Sequence, residues 1–389
     1  MSCHSRLPIK PASRYAPPEP MSVENKPFLF LEPFYGGSHR EFAEGWKQSS
    51  RHTLELHTLP ARFWKWRMRG AALYFAHKIQ NPGEFSGLVV TDLMSLADLK
   101  ALWGCSCPPT LVYVHENQLT YPLAPGEQLD LQYGFTNVTT ALSADRVLFN
   151  SFSHFQAFFA ELPRFLSRMP EYRPRWVIEE IRRKSSVLYP GCRFSPEEEV
   201  SLPRPEVEPL IIWNHRWEFD KNPELFFSAL EKVEESGLGF RLALLGENYQ
   251  KAPKAFIAAR RRWPERVEQY GYVPSRGGYL SWLKRGGIVI STADQENFGI
   301  SVVEAVRYGC FPLLPRNLSY PELIPEEFHD NVLYGNREEL VEKLSRLLVE
   351  LPRPDHLWAD KLRRLALSMN RFSWQALISS YDEELDRLL

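Results

Sequence analysis

The chain has 389 residues, of which 44% are apolar and 24% are charged, and its formal net charge is −1. At about 150 residues per domain this length predicts two domains, and the apolar and aromatic content excludes a disordered chain. The near-zero net charge argues against a protein that coats nucleic acid, although local basic patches could still bind a polyanion.

The sequence also disfavours a membrane or secreted protein. No apolar run reaches the roughly 20 residues that span a bilayer, and the first 26 residues are polar and proline-rich, unlike a signal peptide. The cysteines are odd in number and form neither a metal-binding pair nor a disulfide ladder. They are Cys3, Cys105, Cys107, Cys192 and Cys310. We therefore expect a cytoplasmic protein without a membrane partner.

The first half of the chain alternates short apolar runs with longer amphipathic stretches, a pattern typical of βαβ units and a parallel sheet. Residues 1–26 are predicted to be disordered or poorly packed, and residues 27–194 to form an N-terminal Rossmann-like domain. Its strands are predicted at residues 28–32, 54–59, 87–92, 110–115, 146–150 and 186–189.

The alternation stops at residues 195–209, which contain four prolines and five glutamates. Such a segment does not readily form a core element, so we interpret it as an interdomain linker. Residues 210–372 then predict a second doubly wound domain, and residues 373–389 a terminal helix with Ser373 as its N-cap. The strands of the second domain are predicted at residues 210–213, 241–245, 267–272, 287–291, 310–314 and 331–333.

Two such domains predict an α/β protein in which two doubly wound parallel sheets face each other across a cleft. Ligands of these sheets bind at the carboxyl ends of the strands. We therefore expect the functional residues directly after predicted strands.

The strongest motif of this kind is STADQENFGISVVEAVRYGCFPLLP, residues 291–315. After a buried strand, a helix is expected to begin between Asn297 and Ile300, with its free amides facing the cleft. Glu296 and Glu304 flank this entrance. Because carboxylates accept hydrogen bonds from sugar hydroxyls and amides bind phosphate oxygens, the pattern favours a nucleotide sugar. A loop acid and a solvated helix residue are the simpler interpretation.

Another strand end in the first half carries EPFYGGSHR, residues 32–40. The adjacent glycines Gly36 and Gly37 would let the backbone approach a ligand closely, and Ser38 is predicted to cap the following helix. A plain strand-to-helix turn would have the same sequence.

Further along, YVHENQLTYP places His115, Glu116 and Asn117 at the end of a strand. A histidine in this position is expected to face the cleft, although a buried structural histidine remains an alternative.

Basic residues with interleaved aromatic residues occupy residues 62–78, which contain no acid. They include Lys65, Arg67 and Arg69, with Trp64 and Trp66 between them. A second basic segment covers residues 164–184. Either segment could bind nucleic acid or be an amphipathic helix that packs through its aromatic side chains.

Several of these motifs resemble the family 4 retaining glycosyltransferases of GT-B fold. Glu296-x7-Glu304, with Asn297, Phe298, Gly299 and Ile300 between the acids, is similar to their donor motif. The loop WNHRWEFDKNPE, which follows the first strand of the second domain, is similar to their Arg-x4-Lys loop. In this loop the matching residues are Arg216 and Lys221.

The segments FLEPFYGGSHREFAEGW, VHENQLTYP, NHRWEFDKNPE and ENFGISVVEA narrow the resemblance to the tRNA-queuosine alpha-mannosyltransferases. The likeness extends over nearly the whole chain from Phe28 onward. It implies retaining, metal-independent transfer of mannose from GDP-mannose to the cyclopentene diol of queuosine in the anticodon loop of tRNA-Asp.

Donor-side roles also follow from the resemblance. Glu296 would contact the transferred sugar and Glu304 the ribose, while Arg216 and Lys221 would hold the diphosphate. Gly246 and Glu247 would contact the base or its ribose.

On the acceptor side, the resemblance implies that His115 positions the donor sugar or the acceptor hydroxyl, and that His39 borders the acceptor together with the glycine loop. Lys65, Arg67 and Arg69 become candidate tRNA contacts. The chain lacks a convincing Asp-x-Asp motif, so no metal and no cofactor are expected, and no obligate protein partner is inferred.

Two other functions remain open on the sequence alone. The chain could be a family 4 glycosyltransferase that uses another nucleotide sugar on a lipid, a glycan or a small molecule. It could also be a non-catalytic RNA-binding protein on a GT-B scaffold. A dinucleotide dehydrogenase is less favoured because no G-x-G-x-x-G follows the first strand.

Overall fold

The computed structural model describes residues 26–124, 126–200, 202, 206–246, 253–353 and 358–389. Apart from Lys26, the predicted N-terminal extension lies outside the described residues, as do Glu247 and part of the predicted linker.

The N-terminal domain is built on a parallel sheet of six described strands. They are β1 (Phe28–Tyr35), β2 (Leu54–Pro60), β3 (Gly87–Thr91), β4 (Thr110–Val114), β5 (Arg146–Phe149) and β6 (Ser185–Val187). Their order in the sheet is β2-β1-β3-β4-β5-β6, and Phe28 of β1 pairs with both Leu54 and Gly87. Strands β3 and β4 are buried along their whole length because helices cover both faces of the sheet.

Six helices of this domain follow its strands. They are α1 (Gly37–Ser49), α2 (Trp64–Lys78), α3 (Leu96–Trp103), α4 (Leu131–Ser143), α5 (Phe152–Ser167) and α6 (Trp176–Arg183). Apolar side chains of α2 to α6 form the core on one face of the sheet, and those of α1 lie on the other face.

The C-terminal domain repeats this architecture with a second parallel sheet. Its described strands are β7 (Leu210–Trp213), β8 (Arg241–Leu244), β9 (Val267–Tyr270), β10 (Ile288–Ile290), β11 (Phe311–Pro315) and β12 (Leu333–Tyr334). Their order is β12-β11-β10-β7-β8-β9. The associated helices are α7 (Pro223–Glu235), α8 (Lys254–Arg262), α9 (Arg276–Arg285), α10 (Ile300–Arg307), α11 (Tyr320–Leu323), α12 (His329–Val332), α13 (Arg337–Glu350) and α14 (Trp358–Ser368).

The last helix, α15 (Trp374–Asp386), returns to the N-terminal domain. The Ser373 hydroxyl accepts a hydrogen bond from the Ala376 N–H (3.1 Å), so Ser373 caps this helix as the sequence predicts. Tyr381 packs in the same core as α1, and its hydroxyl donates to the carbonyl of Tyr189 (2.8 Å). The end of the chain therefore completes the core of the first domain.

A second contact between the domains involves Glu322 of α11. Its carboxylate accepts hydrogen bonds from the N–H groups of Phe152 (2.9 Å) and Ser153 (3.0 Å) and from the Tyr189 hydroxyl (3.2 Å). A carboxylate is stabilised there because the first amides of α5 have no partner within the helix.

All twelve predicted strands are confirmed, with ends that shift by at most three residues. The predicted Ser38 cap is wrong, because α1 begins at Gly37 with Gly36 as its N-cap and no side chain caps it. Gly37 has a φ of 49°, and a Cβ on Gly36 would lie 2.4 Å from Ala61 Cβ. The glycines set the start of the helix.

Among the described residues, no helix has both the length and the apolar character needed to cross a bilayer.

Replacing Gly45 with Ala is expected to destabilise the protein. Gly45 lies in α1, and a Cβ there would be 1.9 Å from the indole Nε1 of Trp374. Overpacking of this kind costs about 1–3 kcal/mol. Gly70 of α2 is the matched control, because its Cβ would meet no atom within 4 Å and Gly70→Ala should stabilise by about 0.5–1 kcal/mol. Urea unfolding measures both, and equal stability of the two variants would contradict the docking of α15 on α1.

Candidate active site

Each sheet has one point at which the strand order reverses. In the first sheet, β1 is followed by β2 on one side, whereas the neighbouring β3 is followed by β4, β5 and β6 on the other side. In the second sheet, β7 is followed by β8 and β9 on one side, and the neighbouring β10 by β11 and β12 on the other. The loops after such a pair of strands diverge and open a crevice at their carboxyl ends, where ligands of doubly wound sheets bind. Most of the predicted site residues follow these strands.

Lys221 lies after β7 and is only 6% exposed. Its ammonium donates to the carbonyl of Gln295 (2.5 Å) and lies 3.1 Å from Asp220 Oδ2 and 3.4 Å from Glu296 Oε2. The following Asn222 has a φ of 50° and caps α7 by accepting from the Leu225 N–H. A buried ammonium requires partners of this kind, because an unpaired buried charge is strongly destabilising.

Glu296 lies in the loop after β10 and is one of the two carboxylates that contact Lys221. Burial alone would raise its pKa, but Lys221, His215 and Arg216 together hold the pKa below its usual value. Burial lowers the pKa of His215 to about 4. At neutral pH the site therefore contains an ionised Glu296 beside a neutral imidazole.

Arg216 lies on the same side of the crevice and is 42% exposed. Its guanidinium is 3.4 Å from Glu218 Oε2. The structure thus brings together three predicted donor-side residues, Arg216, Lys221 and Glu296.

Glu304 has a different environment. It lies on α10, is 6% exposed and forms an ion pair with Arg276, the first residue of α9. Burial raises the pKa of Glu304 more than Arg276 lowers it. The two acids of the motif therefore have separate cationic partners.

The segment between these acids joins the two domains. Asn297 Nδ2 donates across the cleft to the carbonyl of His115 (3.1 Å). Phe298 is buried against Tyr189 and Phe372, and Gly299 has a φ of 100°, which allows α10 to begin at Ile300 as predicted.

Gly246 follows β8 and lies close to the loop after β7. A Cβ at this position would be 1.9 Å from the carbonyl oxygen of His215, so only glycine fits. Its predicted partner Glu247 lies outside the described residues.

Across the cleft, Glu32 and His39 form a buried ion pair. Glu32 Oε2 is 3.3 Å from His39 Nδ1, while Oε1 accepts hydrogen bonds from the Phe34 N–H (2.8 Å) and the Thr91 hydroxyl (3.2 Å). Burial lowers the pKa of His39, but the Glu32 carboxylate, with Asp92 and Glu116, outweighs this effect and the pKa is raised.

His115 and Asp92 follow the neighbouring strands β4 and β3. Asp92 Oδ1 accepts a hydrogen bond from the His115 N–H (2.7 Å). Burial and the nearby Glu116 raise the pKa of Asp92 to about 8, and burial lowers the pKa of His115 well below its usual value. Among the described residues, neither Asp92 Oδ2 nor His115 Nε2 has a hydrogen-bond partner.

The other predicted acceptor residues differ in accessibility. Gly37 and Ser38 are exposed at the start of α1, and Gly36 and Glu116 are half-buried. Asn117 is buried, and its side chain bonds to Thr120 and His154. The structure therefore uses Asn117 to hold the loop and does not bring its side chain to the cleft.

Glu32, His39 and His115 each offer one ligand atom, and these three atoms lie within 4.8 Å of one another. A divalent cation could use this donor set, although the sequence predicts no metal.

The basic residues of α2 lie beside the glycine loop, because Ala61 contacts Gly36 just before the helix begins. Lys65 is 3.5 Å from Glu127, and the guanidinium of Arg69 lies over the ring of Tyr133 at 5.6 Å. Trp66 remains 75% exposed. Some aromatic side chains of α2, such as Trp64 against Tyr133, therefore pack within the domain, whereas the indole of Trp66 stays exposed at the edge of the cleft.

Sequence reasoning did not assign Glu32, Asp92 or Arg276. Glu32 and Asp92 had a usable signal, because each is an acid at the end of a predicted strand. Arg276 had none, since its pairing with Glu304 depends on the packing of α9 against α10.

Two family models match the chain. Residues 27–192 match the model described as tRNA-queuosine alpha-mannosyltransferase N-terminal, and residues 194–359 match the model described as Glycosyl transferases group 1. The chain is 35% identical over 371 residues to the tRNA-queuosine alpha-mannosyltransferase of Drosophila melanogaster, a match that covers 93% of this chain and 97% of the relative.

Solved structures share the fold at much lower identity. Sucrose-phosphate synthase from Thermosynechococcus elongatus superposes with a TM-score of 0.70 at 13% identity, covering 93% of this chain and 99% of that one. Anabaena HepE, solved with UDP and glucose, has a TM-score of 0.63 at 15% identity, with coverage of 93% and 99%. These likenesses and the two facing sheets confirm the predicted GT-B fold. Fold alone assigns no substrate.

Proposed function

Because the chain belongs to the tRNA-queuosine alpha-mannosyltransferase family, and is therefore a glycosyltransferase, we propose that it transfers mannose from GDP-mannose to queuosine in the anticodon loop of tRNA-Asp. We also propose that the reaction retains the configuration at the anomeric carbon.

We further propose that the protein works in the cytoplasm. The cysteines within the described residues are all free thiols, which is consistent with a reducing compartment.

The donor diphosphate would lie between Arg216, Lys221 and the first amides of α10. Lys221 is already held toward the loop after β10 by Gln295 and Glu296, so little reorganisation is needed when phosphate arrives. Two cations and free helix amides can together offset the charge that builds on the leaving diphosphate. Glu304 would bind the ribose, while Gly246 and Glu247 would border the base.

Glu296 would accept hydrogen bonds from the mannose hydroxyls. Its lowered pKa keeps it ionised, and a carboxylate beside the anomeric carbon stabilises the positive charge that develops as the sugar–phosphate bond breaks. We assign no protein nucleophile. The departing phosphate would take the proton of the attacking hydroxyl on the same face of the sugar, so that the new bond retains the configuration of the old one.

The observation that carries the proposal is the hydrogen bond from Asn297 to the carbonyl of His115. It joins the donor loop that carries Glu296 to the end of β4, where His115 lies beside Asp92 at the end of β3. The donor-side and acceptor-side groups thus border a single cleft, which would exclude water that otherwise hydrolyses the donor.

The direct test is to incubate the purified protein with queuosine-containing tRNA-Asp and a panel of GDP- and UDP-sugars, and to weigh the nucleosides after digestion. We expect mannosylated queuosine with GDP-mannose only. Transfer to a tRNA without queuosine, or to no tRNA, would favour the other glycosyltransferase functions named above.

Changing Lys65, Arg67 and Arg69 to Glu together is expected to raise the KM for tRNA. Because three phosphate contacts are lost, the slope of log affinity against log salt concentration should also become less negative by about two units. The matched control reverses three basic residues of α14, namely Lys361, Arg363 and Arg364. If both triple variants had the same salt dependence, tRNA would not contact α2.

Transfer is expected to need no divalent cation. Protein dialysed against EDTA should retain its rate within about twofold, because Arg216, Lys221 and the helix amides would supply the charge that a metal would otherwise provide. Loss of transfer that added Mg²⁺ or Zn²⁺ restores would contradict this proposal.

A further inference from the structure

Two buried polar atoms at the carboxyl ends of β3 and β4 have no hydrogen-bond partner among the residues that the structure describes. They are Asp92 Oδ2 and His115 Nε2, which receive no hydrogen bond from any described residue. Buried polar groups in folded proteins are almost always hydrogen-bonded, because an unpaired one retains its full desolvation cost. Such a pair at the end of two central strands points to a ligand with polar groups of its own.

The backbone and neighbouring amides fix these two groups relative to each other. Asp92 Oδ1 accepts from the His115 N–H (2.7 Å), which turns Oδ2 away from the backbone. Asn137 donates to the Asp92 carbonyl (3.2 Å), and Asn150 donates to the His115 carbonyl (2.8 Å). The arrangement is therefore built before any ligand arrives.

Two further polar side chains, His39 and Glu32, lie beside this pair. The rings of His39 and His115 lie with their centroids 4.1 Å apart, and His39 is paired with Glu32. We call Glu32, His39, Asp92 and His115 the diol cluster. A neutral imidazole offers one donor and one acceptor, a carboxylate offers acceptors, and a hydroxyl can serve either role.

We infer that Asp92 Oδ2 and His115 Nε2 bind the two adjacent hydroxyls of the queuosine cyclopentene ring, and that the diol cluster thereby selects queuosine over the unmodified guanosine. This inference rests on the proposed function. It adds Asp92, which no family resemblance had assigned, as a residue that contacts the acceptor.

The position of the diol cluster fits this role. The His115 carbonyl accepts from Asn297 of the donor loop, so a hydroxyl held at the cluster would lie next to the transferred sugar. Both unpartnered atoms are buried in this structure, so the acceptor could reach them only if the two domains moved apart.

The selection has a simple physical basis. Guanosine lacks the cyclopentene ring, so its binding would leave both buried atoms unpaired. Sites built to bond a substrate hydroxyl reject analogues that lack it far more strongly than apolar pockets reject a missing methylene.

The test compares binding of tRNA-Asp that carries queuosine with the same tRNA that carries guanosine, in the presence of GDP. Binding is measured at pH 8.5. We expect the wild type to prefer the queuosine tRNA by roughly tenfold or more. Asp92→Asn keeps an oxygen for the His115 N–H but replaces Oδ2 with an NH₂ group. It should lose most of this preference while its affinity for guanosine tRNA stays unchanged.

Asp145, which lies just before β5, provides a matched control. Its Oδ2 accepts from the Thr110 N–H (2.8 Å) at the opposite end of β4, away from the cleft. Asp145→Asn should keep the full preference for queuosine, and urea unfolding reports whether each variant is folded. Retention of the preference in folded Asp92→Asn overturns the inference. If that variant does not fold, equal affinity of the wild type for the two tRNAs overturns it.

A divalent cation on Glu32, His39 and His115 is the competing occupant. A preference that disappears from the wild type with EDTA and returns with Zn²⁺ would overturn direct binding of the diol. Mannose transfer to the queuosine tRNA is measured in parallel with the wild type. Absence of transfer contradicts the proposed function, whereas transfer without any effect of Asp92→Asn on the preference contradicts the diol inference alone.

Discussion

Glu296→Gln is expected to lower the rate of mannose transfer by about 10²- to 10³-fold, the usual effect of removing one group that stabilises charge in the transition state. Glu296 is held ionised by Lys221 and Arg216. Glutamine keeps its shape but has no charge to stabilise the anomeric carbon. Most of the GDP affinity should persist, because Lys221 and Arg216 are unchanged. Initial rates at saturating substrates and calorimetric titration with GDP measure the two effects.

Glu339 provides the control for this variant. It belongs to the same domain and is likewise paired with a lysine, Lys343, at 2.9 Å, but it lies on α13 at the edge of the sheet. Glu339→Gln should transfer mannose at the wild-type rate. Equal rates for the two variants would remove Glu296 from the reaction.

The second large effect is expected from Lys221→Met, which should weaken GDP binding by about 1.5–3 kcal/mol, roughly tenfold to more than a hundredfold. The substitution removes the buried ammonium that would hold the diphosphate. It also leaves Asp220 and Glu296 without their shared cation, so the empty site becomes more negative and repels the nucleotide further.

A control variant must separate the loss of protein stability in Lys221→Met from its loss of GDP binding, and Lys343 provides one. It is as buried as Lys221, and its ammonium donates to the carbonyls of Asp330 and Leu333 (both 2.6 Å). Lys343→Met should lower the free energy of unfolding by a similar amount but leave GDP affinity intact. If both variants bound GDP equally well, Lys221 would have no role in binding the diphosphate.

Several features of the site could be predicted from the sequence because they depend on local patterns. Apolar runs of three to six residues located the strands, and polar residues in the segments that follow them located Lys221, Glu296 and His115 at the cleft. The start of α10 at Ile300 follows from Gly299, whose φ of 100° favours glycine.

Other features could not be predicted because they join residues far apart in the chain. The sequence offered Glu296 and Glu304 as a pair eight residues apart, yet each has a different cation, Lys221 for one and Arg276 for the other. Which basic residue meets which acid depends on how α9 and the loop after β7 pack around α10. The spacing of residues along the sequence does not reveal this packing.

The sequence by itself determined two doubly wound sheets, their strand ends and a family resemblance, because hydrophobic periodicity and turn chemistry act over a few residues. Only the tertiary structure decided that α15 completes the core of the first domain, that Asn297 reaches the carbonyl of His115, and that Asp92 Oδ2 and His115 Nε2 are buried with no partner in the described part of the chain. These contacts link residues separated by tens to hundreds of positions. Their existence depends on the complementary packing of whole domains, which no local pattern encodes.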